Sequence, residues 1–303
     1  MPAAYLLAHA LLALLLAALG LWAGAPTPEG APPSRRRARF TMLLLGVVMA
    51  LFLLVRLSPE PVANALPHPD LVFFSDLIPH CALAIALLAA RSGASRLARA
   101  RQALLGCALV AVSLYASELP FLPRELDLGA GRVDRAAPAY PVVRQSTPST
   151  CAAAAAATLL RASGRDPAAS EQQLAEACLT DPRRGTHPLG LWRGLSRESG
   201  ALARYTFPSL EQLRGRTPCL LRVGLTDRIS DPELYRVLRD ECGWPEGQSH
   251  AVVCFGFAPG GPGEDAEVAL IGDPRLGFER WGLTHFRALW HGVALELGQP
   301  SSR

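Results

Sequence analysis

The sequence predicts a multi-pass α-helical membrane region followed by an α+β domain. Two observations carry this. Long apolar runs are concentrated before residue 119, whereas nearly all of the acidic residues come later. The second half instead alternates an alanine-rich helical stretch with short β-type runs and turn residues. At 303 residues the chain has room for two ordinary domains. Its 50% apolar and 18% charged content is an average over two unlike halves.

Four apolar segments make up the membrane region, 1–120: residues 5–23, 41–56, 71–90 and 102–119. A span needs about 20 apolar residues, within a range of roughly 17–25. The first and third fit, and the second and fourth borrow flanking residues. Arginine sets the orientation. Arg35, Arg36, Arg37 and Arg39 lie in the first connection, and Arg91, Arg96, Arg99 and Arg101 in the third. The second connection, LSPEPVANALPHPD, has no basic residue. Basic residues gather in short cytoplasmic loops. The N-terminus, the second connection and everything after the fourth segment are therefore expected outside the cytoplasm. The first segment ends in WAGA, as a cleaved signal peptide does, but nothing basic precedes it, so a retained helix is expected. Asp76 and His80 stand four apart, on one helix face. They read as interfacial, near Arg56. The alternative is a relay or binding site, although four short spans with so few polar groups do not resemble a transporter.

Residues 121–136 form a linker rich in Pro, Gly and charge. Within the domain that follows, 137–300, an extended segment is expected at PVVRQS. Helices are expected at 151–163, where alanine has the best intrinsic propensity, at 170–178 behind Ser170, at 188–199 with Pro188 in the first turn, and at FPSLEQLRG. TPCLLRVG, SHAVVCFGF and AEVALIG read as strands, the last two joined by the loop APGGPGED. LTHFRALWHG reads as a helix or turn before a closing strand, VALEL.

Cys151 begins the alanine helix, where free N–H groups and the helix dipole stabilise a thiolate. A thiol nucleophile needs a base and a group to orient that base. His250 opens one strand, and Asp273 closes the next. If those strands are antiparallel neighbours, the two side chains meet, His250 as base and Asp273 as orienter. Gln145, six residues before Cys151, could donate its amide to a developing oxyanion, together with the Cys151 N–H. Singly each signal is weak, because a lone buried Cys is usually core and GDP is a common turn. The order Gln, Cys, His, Asp, with each residue at a structural transition, is far more specific.

The stretches VVRQSTPSTCAAAAAATLLRASG, SHAVVCFGF, VALIGDPRLGFERW and THFRALWHGVALEL resemble the bacteriocin-processing, or double-glycine leader, cysteine peptidases over residues 137–298. That resemblance implies a papain-like fold and peptide hydrolysis through a thiol acyl-enzyme. It makes Cys151 the nucleophile, His250 the general base and acid, Asp273 its orienter and Gln145 the oxyanion donor. No metal or organic cofactor is implied. Three departures stand out. Ala152 occupies the place where the family usually has Gly, and its methyl could narrow the cleft. The chain has no GxxxxGK[ST] nucleotide loop, and its domain is expected outside, which argues against the leader peptides of the usual export cycle. The connection from His250 to Asp273 carries a Gly/Pro-rich insertion.

The expected partners are a peptide or protein substrate and the lipid bilayer. A membrane-protein partner or a membrane-delivered substrate would explain four spans where one would anchor the domain. Nucleic acid has no support, because the 30 basic residues, all arginine, form no stripe in the soluble half. The alternatives in function are an amidase or acyltransferase using the same thiol chemistry, or an inactive papain-like domain for peptide binding or assembly. Cys178, Cys219, Cys242 and Cys254 allow three disulfide pairings outside the cell, with Cys254 also suited to the core. Their spacing resembles no zinc site. His187 reads as the residue that starts a helix, and His285 and His291 as structural or exposed. Trp192, Trp281 and Trp290 read as core anchors or membrane-surface contacts.

Overall fold

A computed structural model of the chain describes residues 2–25, 35–75, 78–92, 125–129, 131–134, 137–227 and 229–298, with scattered positions between 100 and 108. The chain forms two compact units, Met1–Val62 with Phe73–Leu122, and Ala63–Val72 with Pro123–Arg303.

In the first unit, helices α1 (Pro2–Ala23) and α2 (Arg35–Leu57) both pack against α4 (Ile78–Ser92); a short α3 (Pro59–Ala65) follows α2 in the chain. Small residues allow the approach. A Cβ on Gly20 would fall 2.2 Å from the Ala84 carbonyl oxygen, so only glycine lets these helices close to this distance. Leu45, Cys81 and Ala84 form the buried centre. Leu11, Leu14 and Leu15 of α1 and Leu43, Leu51 and Leu54 of α2 point outward, each at least half exposed. Among the described residues two stretches are long and apolar enough to cross a membrane, Arg36–Leu54 and Pro69–Ala89.

The second of these covers the third expected span up to Ala89. A 3-10 helix, Pro69–Phe74, precedes α4, which starts at Ile78. Pro79 lies in the first turn of α4, where its missing N–H does no harm and its fixed φ suits a new helix start. Asp76 and most of the fourth expected span lie outside the described residues.

The second unit is a mixed α+β structure. Its centre is a six-stranded antiparallel sheet in the order β3 (Arg204–Thr206), β8 (Trp290–Glu296), β4 (Cys219–Val223), β5 (His250–Pro259), β6 (Glu267–Asp273), β7 (Gly277–Gly282). A two-stranded ribbon, β1 (Val133–Asp134) and β2 (Val142–Val143), precedes it. Helix α5 (Cys151–Ala162) packs on β5 and reaches β4 and β6. Helices α6 (Glu171–Ala177) and α7 (Pro188–Glu198) flank it. Ala152 through Leu160 are all buried, and a helix buried all round needs side chains this small to seat between a sheet and two helices. Thr158 joins it to β2, donating to the Ala154 carbonyl and accepting from the Val143 N–H, both at 2.9 Å. A second core contains Cys219, Leu221, Val223, Val252, Cys254, Ala269 and Ile271, closed by Phe286 of the last helix, Leu283–Leu289. The alternate residues of these strands are contributed to one side, as the period of two requires.

The connection between α2 and α4 contributes to this unit. Asn64 lies against the edge strand β3. Its Nδ2 donates to the Tyr205 carbonyl at 2.7 Å, and its Oδ1 accepts from the Tyr205 N–H at 2.9 Å. One side chain thus supplies what a neighbouring strand would. Asp70 pairs with Arg193 at 2.9 Å and lies 3.6 Å from Arg197.

Candidate active site

The first turn of α5 is built to receive negative charge. Its N-cap, Thr150, makes no side-chain bond to the helix N–H groups. The Thr150 hydroxyl instead closes the preceding turn, donating to the Thr147 carbonyl at 2.9 Å. The Ala152 N–H of the first turn is therefore left for the Cys151 sulfur.

The register of β5 with β6, which pairs Val253 with Gly272, brings the start of one strand to the end of the other. His250 Nε2 and Asp273 Oδ1 are 3.0 Å apart. The same carboxylate oxygen accepts from the N–H groups of Arg275 at 2.6 Å and Leu276 at 3.3 Å, the Asx-type turn that GDPRL suits. With Nε2 facing Asp273, the other ring nitrogen is left for Cys151, with which His250 also hydrogen-bonds.

The electrostatics separate this thiol from the others. Burial alone would raise the Cys151 pKa. The hydrogen bond and charge of His250, with the N–H groups of Ala251 and Ala152, outweigh burial and hold it below the ordinary thiol value. His250 shows the converse. Burial would lower it, but hydrogen bonds to Asp273 and Cys151 and their charges raise it to about 9. Asp273, which burial would raise, is held below the usual carboxylate range by His250 and by its two backbone donors. Cys178 and Cys254 are each pushed up to about 12 by burial. Burial also raises Cys219 and Cys242.

Gln145 lines the same cleft as the thiol. Its own N–H donates to the Pro274 carbonyl at 2.9 Å, tying it to the turn that holds Asp273. Its Nε2 donates to the Thr147 carbonyl at 2.9 Å, and its Oε1 is buried without a partner among the described residues. Gln145, Cys151, His250 and Asp273 all line one open cleft of about 510 Å³. Ala152 is not among its lining residues and is 7% exposed, so its methyl packs inward rather than narrowing the cleft.

Further side chains lie in and around the cleft. Trp244 stands edge-on to His250, with ring centroids 6.1 Å apart, and edge-on to Trp281 at 5.5 Å. Trp281 is held by a 3.0 Å bond from its indole N–H to Glu279. Leu276, 56% exposed, and Cys242 also line the cleft. Glu171, fully buried in α6, accepts from the N–H and hydroxyl of Ser146, the residue after Gln145. The WP pair after Gly243 was a local signal of an exposed aromatic turn; Glu171 had no signal beyond its place at a helix start.

Cys178, Cys219, Cys242 and Cys254 are all free thiols, although Cys219 and Cys254 stand opposite each other on β4 and β5. Cys254 belongs to the core. His187 is the N-cap of α7, its Nδ1 accepting from the Leu189 N–H at 3.2 Å. His291 meets the Gly224 carbonyl at 3.2 Å. Trp192 is buried, with its indole N–H on the Ala203 carbonyl, and Trp281 and Trp290 are half-buried against the second core.

No protein-family model and no curated protein sequence matches the chain. Solved structures do. A double glycine motif protease from an AMS/PCAT transporter, in complex with the leader peptide, is 20% identical with a TM-score of 0.36, over 55% of this chain and 92% of that one. The peptidase domain of Streptococcus mutans ComA is 19% identical with a TM-score of 0.34, over 52% of this chain and 98% of that one.

Proposed function

We propose that this chain is a membrane-anchored cysteine peptidase that hydrolyses peptide bonds through a thiol acyl-enzyme. The observation that carries the reading is the contact series Cys151, His250, Asp273 at the head of a buried helix, with the thiol lowered and the imidazole raised. Opposite shifts in two touching groups favour a thiolate–imidazolium pair, the resting form of an activated thiol nucleophile.

The steps follow from the geometry. The Cys151 sulfur attacks the scissile carbonyl carbon, and the carbonyl π electrons move onto oxygen. Rotation of the Gln145 amide away from Thr147 frees its Nε2 to donate to that oxyanion beside the Cys151 N–H. As the C–N bond breaks, the His250 imidazolium gives its proton to the leaving amine, and a thioester remains. His250, now neutral, takes a proton from water, and the hydroxide adds to the thioester carbon. Collapse expels the Cys151 thiolate and releases the carboxylic product. Asp273 fixes the ring orientation throughout and stabilises the imidazolium. No step needs a metal or an organic cofactor.

In this reading residues 1–120 are the membrane region, 121–136 the linker and 137–300 the peptidase domain, which lies on the extracytoplasmic side. The arginine-rich first and third connections support that side. So does the second connection, whose Asn64 and Asp70 bond to Tyr205 and Arg193, since the side that holds it also holds the domain.

The test is labelling of the full chain with an electrophilic peptide probe, followed by cleavage of a peptide library. Wild type should be labelled and should cleave; Cys151→Ala and His250→Ala should not. Unchanged labelling of Cys151→Ala would remove the nucleophile, and equal cleavage by wild type and Cys151→Ala would remove the peptidase. Protease access to the C-terminus in intact cells tests the side, and a shielded domain would overturn it.

A further inference from the structure

An oxyanion donor works only if it is held where charge develops, so the backbone that carries Gln145 has to be rigid. Each N–H from 144 to 147 has a partner. Arg144 donates to the Arg132 carbonyl at 2.7 Å, Gln145 to the Pro274 carbonyl at 2.9 Å, Ser146 to Glu171 Oε1 at 2.7 Å and Thr147 to Thr150 Oγ1 at 3.2 Å. Of the four partners, only that of Ser146 is a carboxyl group.

Glu171 has 0% exposure, and both of its oxygens are committed to Ser146, the second accepting from the hydroxyl at 2.5 Å. Burying a carboxyl group is unfavourable unless it is hydrogen-bonded, and an apolar side chain would fill the space without that demand. Its mount is fixed as well. Ser170 caps α6, and Gln172 accepts from the Leu128 N–H at 3.1 Å while donating to the Leu126 carbonyl at 2.6 Å. The carboxyl group therefore holds one residue of one loop, next to Gln145.

We propose that Glu171 is a positioning residue for the oxyanion site: by gripping both donors of Ser146 it sets the place of Gln145. The proposal rests on the reading of Cys151 and Gln145 given above. It separates two properties of the site. Glu171 has no bond to Cys151 or His250, so the thiolate forms without it, but the developing oxyanion is not met correctly.

The experiment uses the full chain in detergent and two readouts. Alkylation of Cys151 by iodoacetamide reports the thiolate alone, since displacement at carbon forms no oxyanion. Hydrolysis of a peptide from the library reports the complete site. Glu171→Ala should lower kcat by about 10- to 100-fold and leave KM within about threefold, the scale of a misplaced catalytic group. Its alkylation rate should stay within about twofold of wild type, because the pair that sets the thiolate is untouched. Glu171→Gln should recover most of kcat, since its Oε1 can accept from the Ser146 N–H and its Nε2 can donate to the hydroxyl. In a Gln145→Ala background, Glu171→Ala should cost no more than about twofold, because coupled residues do not add. Should Glu171→Ala fail to fold, Ser146→Ala, which removes only the hydroxyl bond, should show the same split at about threefold. Wild-type kcat in the folded variants, equal losses in both backgrounds, or alkylation falling in step with kcat would overturn the positioning role. A wild type that is alkylated at Cys151 yet cleaves no peptide would overturn the peptidase reading, and this role with it. Cleavage by wild type, with Glu171→Ala equally fast, would overturn this role alone.

Discussion

Cys151 and Cys254 lie on packed neighbours, one at the head of α5 and the other inside β5, and they hold protons very differently. Both lose solvation. For Cys254 burial dominates, and its thiol is pushed up to about 12. For Cys151 the same penalty is outweighed by an imidazole and two backbone N–H groups. Strand interiors have their N–H groups committed to the ladder, whereas Ala251 near the start of β5 and Ala152 at the start of α5 have theirs free for the sulfur. The position of a thiol relative to element ends, rather than its depth, decides whether its proton is loosened or held.

The largest test of that contrast exchanges the thiols one at a time. Cys151→Ala should abolish peptide cleavage, a loss of at least about 10⁴-fold, as removal of a nucleophile does. Cys254→Ala removes only a buried sulfur, and should leave cleavage intact while costing about 1–2 kcal/mol of stability in thermal unfolding. Comparable loss of cleavage in folded samples of both variants would erase the distinction.

Gln145→Ala comes next. Loss of one oxyanion donor should lower kcat by about 10²–10³-fold, with iodoacetamide alkylation of Cys151 unchanged. A matching fall in alkylation would show that Gln145 supports the thiolate instead.

Asp273→Ala should lower kcat by about 10²-fold, through a ring no longer held in register. The pH profile sharpens this. The imidazolium is needed to protonate the leaving amine, so activity should fall as pH rises through about 9, where His250 loses its proton. The same raised value contributes to stability, fully present below about pH 6.5, the usual imidazole value, and lost as pH rises through about 9. Without Asp273 the largest raising influence is gone, and the alkaline limb of kcat/KM should move down. A limb that stays in place would mean that Asp273 orients without tuning.

What could be read in the sequence follows from the same physics. Cys151, His250 and Asp273 sit at boundaries marked locally by an alanine run, a β-branched run and a GDP turn. Antiparallel pairing then brings the boundaries together. Glu171 carries no such mark beyond a helix start, and the WP pair marks Trp244 as a turn residue without placing it against His250, since both roles depend on which element lies across from them. Strands β3 and β7 were missed because they read as polar and irregular. In β7, Arg280 is paired with Glu264 on the neighbouring loop, and no apolar alternation announces the strand. The third apolar segment is legible as a span because its length and composition suffice, with Pro79 in the first turn of α4 where its missing N–H does no harm.

The smallest expected effect concerns an edge of the sheet rather than its cleft. Asn64 offers Tyr205 a donor and an acceptor, replacing the strand that β3 lacks on that side. Two hydrogen bonds of this kind contribute about 1–3 kcal/mol together. Asn64→Ala should therefore lower the unfolding midpoint by a few degrees, with kcat and Cys151 alkylation unchanged, because β3 lies at the opposite edge of the sheet from β6 and Asp273. Hydrogen exchange should rise at the Tyr205 amide and remain slow at Val252 and Val253, whose strand is paired on both sides. If exchange at Tyr205 did not change, Asn64 would not be covering the edge. If kcat fell, the cleft and the far edge of the sheet would be coupled, and the contrast between Cys151 and Cys254 would depend on the whole sheet rather than on the end of one helix.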